Sequence, residues 1–594
     1  MTNRSGKMRK TLIAVAVVAA GALAYYQFAG KRGAAPELAE LAYVPADTAL
    51  FSGQFTPIDL GSYLTSLGMG PQYYDANMQQ VFGDMLNESN EAQNKFVLAL
   101  LQTYMKALSD PAQLSASTGV KPQMRSLVYL VGMSPVMRIE LGDEAAFWRL
   151  FDEAEKASGF SHIAQQINDV KYRQYRLVKE EVALDFLVSV KNGFATLALS
   201  SDKFDAQHLA IVVQAAQPEQ NLANTSLLTD VQKKYQLNND SIGFLSSEQL
   251  LKFVTSTDGN RLAKDVNAVF GQELAVALAA WRNPACVADV AAISKNWPGL
   301  YMDSQFDLKD ASKIKVAGRL LVPTENADTV AQLSALRGFI PAQLQDPASS
   351  AMLHTAVGLD VAQLAPTLGK LWTGFTEPAY SCEPLAQMQQ EAKQNNPLAA
   401  LAMAGMASGL QGISLTLHDV ELDLTNGSPK NADALLTISA TNARAFVEGI
   451  KAFYPPLAAV ALPAAGEELD VAAVVPEVAV LGVQPKLAMT DSHLLLYVGD
   501  KAKAQSAEIG KESLSKNGLL SFGLDYGSFF KTMQQAMAAT GEEVPADFQT
   551  FANSDMKMQM SVNINNQGFV LQSQMQVSAK TQAAAAAPAT SAGK

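Results

Sequence analysis

Five histidines, His162, His208, His354, His418 and His493, are the side chains best suited to proton transfer or metal ligation near neutral pH. No two are three or four residues apart and none stands in an HExxH relation, so no helix face offers a ligand pair. There is no GxSxG elbow, Walker A run or GxGxxG turn. In Gly405, Met406, Ala407, Ser408 and Gly409 the serine comes too late for a nucleophile elbow, and close packing of a small-residue helix is the plainer account. Asp59, Asp360 and Asp525 recur in similar surroundings and leave two alternatives. Either their carboxylates converge in one cleft as acid–base groups, or each caps a helix; Ser246 at a fourth copy favours capping, because serine caps well and is a poor acid. Met533, Met537, Met556, Met558 and Met560 either line an adaptable apolar groove or fill a core. We therefore expect no catalytic, cofactor-binding or metal-binding residues and no cofactor, with a hydrolytic enzyme as the remote alternative.

The surroundings that recur are a strand-to-helix joint. At Ile58, Asp59 and Leu60 an apolar run stops at the acid, and apolar residues return at Tyr63 and Leu64. Leu524, Asp525, Tyr526, Phe529 and Phe530 repeat the pattern, and the stretches at Asp360 and Ser246 are looser copies. A strand ending at a helix N-cap has this form, the cap oxygen taking an orphan amide of the first turn. A second joint follows Asp143, Asn442 and Asn326, and a third pair ends a strand at Asp202 and at Asp500. The offsets are 301 from Asp59 to Asp360, 299 from Asp143 to Asn442, 298 from Asp202 to Asp500 and 279 from Ser246 to Asp525. Similar offsets in the same order are what a duplication with one deletion leaves.

A chain of 594 residues exceeds one hydrophobic core. Arg4, Lys7, Arg9, Lys10, Lys31 and Arg32 precede the first acid, Glu37; the chain beyond Arg32 carries 39 basic against 57 acidic residues, a balance of −18. So acidic a body repels phosphate backbones and argues against nucleic acid. Cys286 and Cys382 are the only cysteines. They form one disulfide in an oxidising compartment, or stay apart as buried thiols.

Residues 12–28 form an apolar run of 17, near the lower limit for a membrane-spanning helix, with Tyr25, Tyr26 and Phe28 placed as an interfacial belt. The preceding basic residues hold that end in the cytoplasm. A cleaved signal peptide competes, because Ala22, Leu23 and Ala24 satisfy the small-x-small rule. Both readings export the body. At Tyr43, Val44, Pro45, Ala46, Asp47 and Thr48, followed by a strand and the Asp59 joint, the chain resembles uncharacterised bacterial envelope proteins. In those a membrane-proximal Pro-Ala-Asp-Thr segment opens a large repetitive periplasmic body. The resemblance implies a Gram-negative inner-membrane location and brings no catalytic residues.

The expected organisation is a basic tip and transmembrane anchor over residues 1–32, a linker over 33–42, a first half over 43–345, a homologous second half over 351–578 and a disordered tail over 579–594. Strands are expected at 50–56, 126–131, 135–141, 299–306, 313–322, 412–423, 431–439, 556–563 and 569–577, with a hairpin at Asn192 and Gly193. Helices are expected at 77–108, 206–215, 225–234, 246–254, 262–281, 286–293 and 398–410, and after each capping joint. The fold class is α+β, with duplicated antiparallel-sheet modules carrying packed helices, preceded by one transmembrane helix. The function expected is a non-enzymatic periplasmic protein that binds a hydrophobic ligand or envelope client between its halves. A scaffold or assembly protein with protein partners alone is the alternative.

Overall fold

The joints form where the sequence places them, and most are closed by the expected oxygen. In the structure, a computed structural model, residues 38–578 are described apart from 67–69, 75, 89–90, 179–181, 309–312, 347–348, 350, 397, 399–400, 402–404, 406, 423–428, 452–459, 475–482, 542, 545–547, 549–550 and 554. The expected anchor and tail lie outside the described residues. Among those described, no helix is long and apolar enough to cross a membrane. The architecture is α+β with antiparallel sheet pairing. The chain divides into unit 1, residues up to 311 with 316–318, and unit 2, residues 312–315 and from 319 on.

Unit 1 contains β1 (Leu50–Asp59), β2 (Gln123–Val131), β3 (Ser134–Glu140), β4 (Ile163–Ile167), β5 (Val170–Val178), β6 (Leu184–Lys191), β7 (Phe194–Ser201), β8 (Ser241–Ser246) and β9 (Gly299–Asp307). Their antiparallel pairings give the order β9-β8-β1-β2-β3-β7-β6-β5-β4. Four helices leave this sheet at joints: α1 (Leu60–Ser66), α2 (Glu144–Ser158), α3 (Ala206–Val212) and α4 (Ser247–Thr255). Asn192 and Gly193 close the β6–β7 hairpin with φ of 53° and 76°, the two positive values a tight primed turn requires. Phe147 and Phe151 of α2 pack on Tyr175, Val188 and Ala195 and form the main aromatic core here.

After the strand Lys313–Pro323, which we call β10, unit 2 contains β11 (Leu353–Gly358), β12 (Leu410–Leu422), β13 (Pro429–Ala440), β14 (Glu468–Asp470), β15 (Lys486–Met489), β16 (His493–Val498), β17 (Leu520–Asp525), β18 (Met556–Ile564) and β19 (Gly568–Ser578). The order is β19-β18-β17-β11-β12-β13-β16-β15-β14, again antiparallel throughout. Its joint helices are α5 (Val361–Thr376), α6 (Ala443–Lys451), α7 (Asp500–Ile509) and α8 (Tyr526–Thr540). The run β9-β8-β1-β2-β3-β7-β6-β5 thus has the same chain order and directions as β18-β17-β11-β12-β13-β16-β15-β14.

Capping differs from joint to joint. Asp59 accepts the Ser62 amide at 2.8 Å and Asp525 the Ser528 amide at 3.0 Å. Ser246, Asp143, Asn326 and Asn442 also take the amide three residues on. Asp360 departs from the expectation. Its carboxylate turns to the Lys516 ammonium at 2.9 Å, and no amide of α5 reaches it. The ion pair takes Oδ2 and leaves Oδ1 buried without a partner. Asp202 accepts the Ala183 amide, and α3 is capped by Asp205 instead. Asp500 is the first residue of α7, whose amides at Lys501 and Ala502 go to Asp433 from β13. Alanine at Asp59 or Asp525 is expected to cost about 0.5–2 kcal/mol, read as a lowered melting temperature with ligand binding retained.

Other expectations shift too. The expected helix at 398–410 lies partly outside the described residues, but Gly409 has φ of 102° and Leu410 already belongs to β12, so no helix reaches that far. Glu40 and Leu41, expected in a linker, are buried in a short 3₁₀ helix, Ala39–Tyr43. Both cysteines are buried and neither is a free thiol, which sets aside the alternative of two buried thiols. The denatured, unreduced chain should show no reactive thiol, and the reduced chain two; titration with a thiol reagent checks this.

Candidate ligand-binding face

In the central strands of unit 2 the usual alternation is reversed. A half-covered antiparallel sheet normally turns its apolar residues inward. In β12, Gly412, Ser414 and Thr416 are buried, whereas Ile413 and Leu415 are each 44% exposed. Val357 of β11, directly opposite Ile413, is 48% exposed. The register extends this surface as rows. Val562, Leu520, Val357, Ile413, Ile438 and Leu494 lie side by side across six strands. A second row runs through Met560, Phe522, Thr355, Leu415, Leu436 and Leu496.

The other face holds the packed core. Leu435, Leu495 and Tyr497 lie against Ala502 and Ile509 of α7, and Ala356 packs with Ile340 and Leu344. It also buries polar groups, among them His354, Ser414, Thr416, Thr437, Ser439, His493 and Ser521. Fully burying a residue such as Ile or Leu is worth about 1.5–3 kcal/mol, and Val357, Ile413 and Leu415 forgo much of that, while the other apolar row residues are partly buried. A contiguous apolar surface of this kind marks an interaction site more often than an accident of folding.

Unit 2 also holds a groove of about 470 Å³ lined by Leu368, Leu371, Trp372, Phe375, Leu398 and Leu401. The first four form one stripe of α5 at helical spacing, and α5 runs against β12. Among the described residues the lining carries aliphatic and aromatic side chains only. Such a groove offers a ligand mainly dispersion and desolvation, with the Trp372 indole N–H as a side-chain donor, so it suits a predominantly apolar ligand.

The residues weighed for chemistry have other work. His162 meets Glu155 at 2.6 Å, and His418 meets Gln505 at 2.9 Å. His493 accepts from the Ser439 hydroxyl at 2.9 Å and donates Nε2–H to the Glu512 carbonyl at 2.9 Å, so the neutral ring is satisfied on both nitrogens. His354 lies 3.4 Å from the Ser521 hydroxyl. Burial holds both rings below the usual histidine range, His354 at about 4. Asp59, Asp360 and Asp525 each stay at their own joint, and among the described residues no group of His, Cys, Asp and Glu could hold a metal. Met556, Met558 and Met560 sit on β18, Met560 within the second apolar row and Met558 two residues before it on the same strand face, and Tyr526 of α8 reaches the Met558 sulfur.

One constellation escaped sequence reasoning. The Ser134 hydroxyl lies 2.8 Å from His208 Nε2, and His208 Nδ1 lies 3.2 Å from an Asp265 oxygen. The three come from β3, α3 and the helix Arg261–Ala277, so no local spacing could have revealed them. The order resembles a nucleophile–base–acid relay, but its details oppose that use. Ser134 and His208 are each 1% exposed, Nδ1 makes no directed hydrogen bond, and the same Asp265 oxygen accepts the Met133 amide at 2.9 Å. Serine–histidine contacts without a carboxylate recur at His354 and His493. These groups lock buried elements together.

The Pro45–Thr48 stretch is likewise structural. Thr48 N–H closes a turn on the Pro45 carbonyl, Asp47 accepts the Arg261 amide at 2.9 Å, and the Thr48 hydroxyl accepts the Leu130 amide at 3.1 Å. No protein-family model, curated protein or solved structure matches the chain.

Proposed function

We propose that the chain is a non-enzymatic envelope protein, held at the bacterial inner membrane by residues 12–28 with its body in the periplasm, and that unit 2 binds the hydrocarbon part of a lipid-like ligand. The observation that carries this reading is the groove of leucine and aromatic side chains on α5, and the exposed Val357, Ile413 and Leu415 of β11 and β12 add to it. The two units are further proposed to be copies of one module. The shared order of eight strands supports this, as do caps at Asp143 and Asn442 and at Ser246 and Asp525. Full-length protein in phospholipid vesicles carrying a photoreactive acyl chain tests the binding. Cross-links should concentrate in residues 361–376 and 398–401 and disappear in Leu371→Glu. Cross-links confined to residues 12–28 would refute it.

A scaffold role with protein partners has its own support. Val81, Met85, Val97 and Leu101 are exposed on the helices Ala76–Glu88 and Ala92–Ser109 of unit 1. Under that reading, charged residues at these positions would abolish co-purification of an envelope protein and leave acyl cross-linking intact.

A further inference from the structure

The strand β4 ends the unit 1 sheet in a form that suits pairing with itself. Among the described residues it pairs only with β5, and four of its five residues, Ile163, Ala164, Gln165 and Gln166, are exposed. Proteins ordinarily blunt such an edge with charge, proline or brevity. Unit 2 does so: β14 is three residues long and carries Glu468 and Asp470. β4 carries no charge and no proline.

The direction of its backbone groups follows from the turn. Asn168, with φ of 51°, and Asp169 form the two-residue connection between Ile167 and Val170, which makes those two the closing hydrogen-bonded pair. Antiparallel pairs alternate, so Gln165 and Ile163 bond to β5 while Ala164 and Gln166 direct their N–H and C=O groups outward. We propose that β4 pairs antiparallel with β4 of a second copy of this chain, about a twofold axis through Gln165. This register sets Ala164 against Gln166 in both directions, so every outward group is matched by another. Ile163 then faces Ile167, Gln165 faces Gln165, and Asp169 faces Ser161, so no charge meets its like.

Cysteine cross-linking of the full-length chain in its membrane tests this, and because neither native cysteine is a free thiol, an introduced one is the sole reactive group. Across the proposed axis the two Gln165 residues form a non-hydrogen-bonded pair with Cα atoms about 4.5 Å apart, within disulfide range. The two Ala164 residues lie roughly 8–9 Å apart, beyond it. Gln165→Cys should therefore give a covalent dimer on mild oxidation, and Ala164→Cys should not. Adding Ala164→Pro to Gln165→Cys removes an outward N–H, leaves the β5 ladder bonds in place and should abolish the dimer band. Monomer alone from Gln165→Cys, equal dimer from both single cysteines, or dimer persisting beside Ala164→Pro would each overturn the proposal. Near-native far-ultraviolet circular dichroism shows that each variant folds.

Discussion

Replacing Glu40 by alanine is expected to destabilise unit 1 by about 3–5 kcal/mol, because it strands a buried cation. Arg138 of β3 is fully buried and pairs with Glu40 of the 3₁₀ helix Ala39–Tyr43. Its guanidinium lies between the rings of Tyr43 and Phe194, at 5.2 and 5.3 Å, and donates to the Thr196 hydroxyl. Burial draws its pKa down to about 9, still high enough for a charge at neutral pH. Taking away the carboxylate leaves that charge without compensation in a medium of low polarity. Native-state hydrogen exchange of the β2, β3 and β7 amides measures the loss locally and needs no two-state assumption for the whole chain. The double variant Glu40→Ala/Arg138→Met should recover much of the loss, since it removes both charges and puts an unbranched apolar side chain in place of the arginine. A single variant as stable as the parent would show that the pair is not what holds the segment before β1 in place.

Acid should weaken unit 2 through its buried histidines. His354 titrates near 6.5 when unfolded and at about 4 when folded, because burial disfavours its charged form. The neutral ring fills the space over Gly523, where an added Cβ would sit 2.2 Å from its Cε1. With the folded pKa depressed, stability is complete above about pH 6.5 and is lost as the pH falls toward 4, when the unfolded chain takes up the proton first. The size is about 3 kcal/mol for His354 alone, and His493 adds in the same direction. Glu140, held at about 2 chiefly by its hydrogen bond from Arg125, loses its contribution only below about pH 4.5. Urea unfolding at pH 7.5 and 4.5 should show the drop in the parent and a drop smaller by about 2.5 kcal/mol in His354→Gln. Equal drops in both would remove His354 from the account.

The sequence disclosed elements well because their signals are local. The Asn192–Gly193 turn, the caps at Asp59, Asp143, Ser246 and Asp525, and most strands of both units stand where periodicity and turn chemistry put them. β4 has no such signal, because Gln165 and Gln166 interrupt any alternation. Which face of a strand lies inward is not local. The pattern of Ile413 and Leu415 against Ser414 and Thr416 marks β12 plainly, yet ordinary reasoning buries the apolar set and the protein buries the polar one. Only the helices and straps packed on the opposite face decide that. For the same reason the Ser134–His208–Asp265 contact is invisible in the sequence, and Asp360 has the local context of a cap although the fold brings Lys516 beside it. The α5 stripe of Leu368, Leu371, Trp372 and Phe375 is legible as an amphipathic face, but nothing in its spacing says that a groove stays open there.

The central claim is that hydrocarbon occupies that groove, and Trp372 sits in its wall. The most direct measurement uses full-length protein with Trp148, Trp281 and Trp297 replaced by phenylalanine, leaving Trp372 as the single indole. Titration with a fatty acid brominated along its chain should quench Trp372 saturably, the unbrominated acid should restore the emission by competition, and Leu371→Glu should remove the effect. Emission that stays unchanged, or that falls linearly without saturation or competition, would contradict the account.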